Sequence, residues 1–91
     1  MRAIFSEVSA DKKENTFVLD TKCSREVCKV KNVNGAVTGT MYISEKGRLF
    51  IQDAVTKELK YSIAEHKVNK TLLARLHPDK YEELYGKVEE G

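Results

Sequence analysis

The run "CKVKNVNGAVTGTMYI", Cys28 to Ile43, constrains this chain more than any other part of it. Asn34-Gly35 is the strongest two-residue signal for a β-hairpin, because both central positions of the matching turn need positive φ. A turn placed there sets Val33 opposite Ala36, Lys31 opposite Thr38, Val30 opposite Gly39, Lys29 opposite Thr40 and Cys28 opposite Met41. Side chains alternate across a strand. One face therefore collects Cys28, Val30, Val37, Met41 and Ile43, and the other Lys29, Lys31, Thr38, Thr40 and Tyr42. A slip of one residue would exchange the faces, so the apolar set specifies the register.

The same division runs on through "ISEKGRLF". Glu45-Lys46-Gly47 suits a three-residue loop with Gly47 in the left-handed position. It pairs Ile43 with Leu49 and Met41 with Ile51 on the apolar face, and Tyr42 with Phe50 on the other. A third reversal in "DAVTKE" returns the chain through "ELKYSI". If that loop holds an odd number of residues, Leu59, Tyr61 and Ile63 stay on the apolar face. Ahead of these, "AIFSEV" and "TFVLDT" read as two strands joined by the polar loop "SADKKEN". The expectation is an antiparallel five- or six-strand β-meander, curled or partly closed into a small barrel.

After Ser62 the period changes. Ser62-Ile63-Ala64-Glu65 matches a capping box, and Val68, Leu72 and Leu76 follow at i, i+4 and i+8. Asn69 is an alternative cap for a shorter helix. Pro78 suits a first helical position, with Asp79, Glu82 and Glu83 in the opening turn, where the helix dipole favours anions. Tyr81, Leu84, Tyr85 and Val88 form a second apolar stripe, interrupted or ended by Gly86. Strands first and helices last predict an α+β fold in a single domain, with a β-meander over 1–62 and a C-terminal helical segment over 63–91. Ninety-one residues leave no room for a second core.

The corner between the two helices, "LLARLHPDKYEEL", carries His77-Pro78-Asp79. This resembles the tripeptide by which J-domain co-chaperones engage their chaperone partner, and "KTLLAR" ahead of it resembles the end of their basic helix. The resemblance stops there. Strands stand where a J-domain has another helix, and a helix begins at Pro78 where a J-domain has a longer loop. Each residue is also explained by local geometry: the position before proline is pushed out of helical conformation, so one helix ends at Leu76–His77 and Pro78 opens the next.

Charge and chemistry narrow the function. Net charge is only +2, but it is unevenly spread. Lys22 to Arg48 holds six basic residues against two acidic ones, and Asp79 to Gly91 holds five acidic residues against two lysines. No signal peptide and no run of eighteen apolar residues is visible, so a cytoplasmic chain without membrane contact and with reduced thiols is expected. Cys23 and Cys28 with His66 and His77 offer zinc-type ligands, but C-x4-C and H-x10-H match no common spacing. No nucleophile–base set, phosphate-cradling glycine loop or motif for a cofactor is present.

What remains is surface. Lys29, Lys31, Thr40, Tyr42, Arg48 and Phe50 share the second sheet face, a pattern that suits a plain solvated face, a face covered by a C-terminal helix, a protein partner or single-stranded nucleic acid, with cations on phosphates and rings under bases. The stripe of Tyr81, Leu84, Tyr85 and Val88 suits packing on the chain's own sheet, a homodimer contact or a helix offered to a partner. The leading expectation is a small non-catalytic binding module, acting as an adaptor, inhibitor or regulator through a protein partner. Nucleic-acid binding is the alternative, and a metal-dependent or hydrolytic enzyme the remote one.

Overall fold

The computed structural model describes residues 1–86. It has β1 (Arg2–Val8), β2 (Glu14–Asp20), a single 3-10 turn (Thr21–Cys23), β3 (Arg25–Lys31), β4 (Val37–Ile43), β5 (Leu49–Asp53), β6 (Leu59–Lys60), α1 (Ile63–Leu76) and α2 (Pro78–Tyr85). The α+β order is as expected. The single meander and the barrel are not: β1 and β2 form their own two-stranded sheet, and β3-β4-β5-β6 form a second, four-stranded one.

The break between the sheets has a local cause. The Asp20 carboxylate accepts the Lys22 N–H at 2.9 Å and the Asp20 carbonyl accepts the Ser24 hydroxyl at 2.7 Å, which bends the chain out of strand geometry. The N–H of Thr21 also bonds back to the Met1 carbonyl, closing the open end of the first hairpin. The hairpin therefore folds over one face of the large sheet, and the helices cover the other. Three layers result: hairpin, sheet, helices.

Two cores follow. On the helix side, Val27, Met41, Leu49 and Leu73 are buried, with Ile43, Ile51, Tyr81 and Leu84 packed against them. On the hairpin side, Leu19, Phe50 and Leu59 are buried, flanked by Phe5, Phe17, Tyr42 and Tyr61. Leu49 and Phe50 are consecutive and both 0% exposed, because β5 is covered on both faces. Burying a side chain such as Phe50 contributes about 2–3 kcal/mol.

The registers of the expected hairpins hold in their middles. Cys28 faces Met41, Lys29 faces Thr40 and Val30 faces Gly39, and across the next pair Ile43 faces Leu49, Tyr42 faces Phe50 and Met41 faces Ile51. The first turn differs from the two-residue form. The Asn32 N–H bonds the Ala36 carbonyl, and the Asn32 side chain accepts from both Asn34 and Ala36 N–H groups, giving a three-residue loop with only Gly35 at positive φ. Lys31 consequently faces Val37, and a bulge between Val30 and Lys31 restores the register. A second bulge, between Glu26 and Cys28, turns Val27 into the helix-side core.

The third reversal overturns the odd-loop expectation. Asp53 and Glu58 close a loop of even length over Ala54–Lys57, because the Asp53 carboxylate caps the Val55 and Thr56 N–H groups and Lys57 takes positive φ. Leu59 then faces Gln52 and, with Tyr61, joins Phe50 on the hairpin side. Gly39 lies against β5: a Cβ there would meet the Gln52 carbonyl oxygen at 2.8 Å and the Ile51 side chain at 2.9 Å.

In α1, Ser62 is the cap, its hydroxyl accepting the Glu65 N–H at 3.0 Å, and Asn69 lies mid-helix, buried, rather than at a helix start. The stripe that packs on the sheet is His66, Asn69 and Leu73, at i, i+3 and i+7. The His66 Nδ1 accepts the Leu49 N–H at 3.0 Å, which sets the rotation of the helix. Val68, Leu72 and Leu76 are thereby turned outward, at 57%, 36% and 66% exposure. The His77-Pro78 corner is a boundary as read: α1 ends at Leu76, Pro78 takes the first helical position of α2, and Asp79 sits in its first turn.

Candidate functional site

The second sheet face does not present the basic and aromatic surface that its sequence suggests. Phe50 is fully buried beneath the first hairpin, and Tyr42 is half-buried and stacked on it at 5.6 Å between ring centroids. Neither the sequence pattern nor the turn signals identify the hairpin as the cover. A usable signal was present: "MYI" and "LFI" are unbroken apolar runs, which mark strands covered on both faces rather than one.

Arg48, expected as a phosphate contact, is committed to the hairpin. Its Nη2 and Nε donate to one Glu7 carboxylate oxygen at 2.7 and 3.2 Å, and its guanidinium lies 3.9 Å above the Phe17 ring. The other Glu7 oxygen accepts the Tyr61 hydroxyl at 2.9 Å. Tyr61 makes edge contacts with Phe5 and Phe17. This joint clamps β1 onto the β5 and β6 ends of the large sheet. The Arg48 hydrogen bonds hold the Glu7 carboxyl below the usual range, and burial pushes the Tyr61 hydroxyl up. His66 lies nearby, and its imidazole is pushed below its usual value by burial and by Lys70. Lys29 donates to Thr40 and to Glu26, while Lys31 forms no ion pair among the described residues.

The C-terminal stripe is divided. Tyr81 and Leu84 pack into the chain's own helix-side core. Tyr85 lies at its edge, 4.9 Å from the Tyr81 ring and beneath the Lys70 ammonium at 4.5 Å. Val88 lies outside the described residues. An ion pair between Arg25 and Glu83 ties α2 to the start of β3.

That placement leaves the other end of the same sheet face uncovered. Pro78 turns the chain back toward Val27, so α2 fills one end, and α1 stops beside β3 at the other. Between β3 and the last turns of α1 lies a groove of about 410 Å³, open to solvent. Cys28, Val30, Met41, Leu72 and Leu76 give it an apolar lining, and Lys29, Lys31 and His77 stand at its margins. Burial raises the Cys28 thiol, with Lys80 acting in the opposite sense. Sequence reasoning missed this groove because it took Val68, Leu72 and Leu76 as the apolar stripe of the helix and did not see that His66, Asn69 and Leu73 would face the sheet.

A second cleft, of about 420 Å³, lies between the hairpin and the β4–β5 turn and carries both signs of charge, with Arg2 and Lys46 beside Asp20 and Glu45. Cys23, on the 3-10 turn, and Cys28 are free thiols. Among the described residues no group of three or more His, Cys, Asp or Glu side chains is placed to hold a metal ion, and no helix is long and apolar enough to cross a membrane. No protein-family model, curated protein or solved structure significantly matches this chain.

Proposed function

We propose that the chain is a small non-catalytic binding module, an adaptor, inhibitor or regulator that acts through a protein partner held in the groove between β3 and α1. The observation that supports this reading is the outward stripe of Val68, Leu72 and Leu76 beside an apolar strand end. A helix places its apolar residues toward water only at a cost, since each buried leucine contributes about 1.5–3 kcal/mol. Here Leu72 and Leu76 line a concave surface instead of the core. The reading of Tyr42 and Phe50 as base-stacking rings loses its support, because the rings are under the hairpin.

The test is affinity capture from the native cell with the full chain and with Leu72→Glu/Leu76→Glu, whose positions lie outside both cores. A partner retained by the full chain and lost from the variant is the expected result. The same partners recovered with both would remove the groove from the account.

A further inference from the structure

We propose that the groove takes an acidic amphipathic α-helix of the partner protein, laid between β3 and the end of α1. This rests on the protein-binding reading and adds the conformation and charge of what is bound.

The conformation follows from the edge strand. β3 is the outer strand of its sheet and offers main-chain groups to an incoming strand. Bulges flank Cys28–Val30, one between Glu26 and Cys28 and one between Val30 and Lys31. Only those three residues pair regularly with β4 between the bulges, which is too short and too twisted an edge for strand addition. Lys29 and Lys31 on the same stretch guard it further. A helix asks for no such edge. It needs an apolar trough with anchors from two sides, which Cys28 and Val30 supply from the strand and Leu72 and Leu76 from α1.

The charge follows from the margins. No carboxylate lines the groove among the described residues. Lys29, Lys31 and His77 stand at its margins, the Lys29 ammonium being bonded to Thr40. Lys31 forms no ion pair among the described residues. Glu26 is the nearby acid, and Lys29 already engages it. An apolar floor with a cationic rim is complementary to a helix with an apolar stripe and acidic flanks.

The probe is a phage-displayed library of amphipathic helices of about 16 residues, roughly 24 Å long, with flanking charges randomised, selected on the full chain. The expected winners carry net negative charge and apolar residues at i, i+3/i+4 and i+7. Their affinity should fall at least about 10-fold on Leu72→Glu or Leu76→Glu, as for a buried anchor. It should fall about three-fold on Lys31→Glu and weaken with salt. Circular dichroism of each variant establishes that the fold is retained. Winners that are neutral or basic would overturn the inference while leaving the groove a protein-binding site. Winners that ignore the leucine changes, or a single-stranded oligonucleotide bound equally well with the same variant dependence, would overturn it too. If no helix is enriched, the inference falls, and the affinity capture with Leu72→Glu/Leu76→Glu decides the protein-binding reading separately.

Discussion

The two faces of the four-stranded sheet are covered in different ways. On one, a β-hairpin lies over Phe50, Tyr42 and Leu59, and its edge is locked by the Glu7–Arg48–Tyr61 joint. On the other, two helices joined at a proline corner cover Leu49, Met41 and Val27, but leave the Cys28–Val30 end only partly covered. The hairpin closes its face because its inner positions alternate in step with the sheet beneath. The helices cannot, because α1 ends at Leu76 and Pro78 sends α2 back toward the other end of the face. A covered sheet face is therefore a core, and a partly covered one is a surface with an apolar floor.

The largest expected effect is on the closed face. Phe50→Ala removes its central side chain and should cost about 3–5 kcal/mol in urea unfolding. A loss below about 1 kcal/mol would mean that the hairpin does not pack there. Arg48→Met removes the guanidinium from over Phe17 and leaves the Glu7 carboxylate without its main donor. Since the pair is only partly buried, about 2 kcal/mol is expected. A neutral result would show that the aromatic contacts alone hold the hairpin.

Acid should weaken the fold in two stages. His66 must stay unprotonated at Nδ1 to accept the Leu49 N–H, and its pKa lies below the ordinary 6.5. The unfolded chain then takes up that proton at higher pH than the folded one. Stability is complete above about pH 6.5 and falls as the pH drops below it. Glu7, held below the ordinary 4.5, adds a second loss as pH falls below that value. Urea unfolding across pH 2–8 checks this, and His66→Phe should abolish the upper stage alone. The smallest effect belongs to the open face: Leu76→Ala should change stability by no more than about 0.5 kcal/mol, because the side chain is mostly in water.

The elements that were legible in the sequence are those fixed by local chemistry. Gly47 at positive φ, the Ser62 cap and Pro78 at a helix start each need only their neighbours. The β3–β4 and β4–β5 registers were legible because a period of two allows no other sorting of Cys28, Val30, Met41 and Ile51. Three features were not legible. The loop before β6 is even because the Asp53 side chain caps it, which composition does not reveal. The first hairpin covers Phe50 because the Asp20 and Thr21 bonds stop β3 from pairing with β2. And α1 carries two overlapping stripes; the more apolar one, Val68–Leu72–Leu76, lost to His66–Asn69–Leu73 because His66 reaches the Leu49 N–H. The candidate groove lies where that third outcome and the proline corner meet, so single-segment patterns did not show it.

The contrast between the two faces is tested most directly by amide and methyl chemical-shift mapping of the full chain as an acidic amphipathic helix is added. The account predicts shifts at Cys28–Lys31 and Leu72–His77, with Tyr42, Phe50 and Leu59 unmoved. Shifts centred on Tyr42, Phe50 and the Glu7–Arg48 joint would contradict it, since they would mean that the hairpin opens and the groove is not the binding surface.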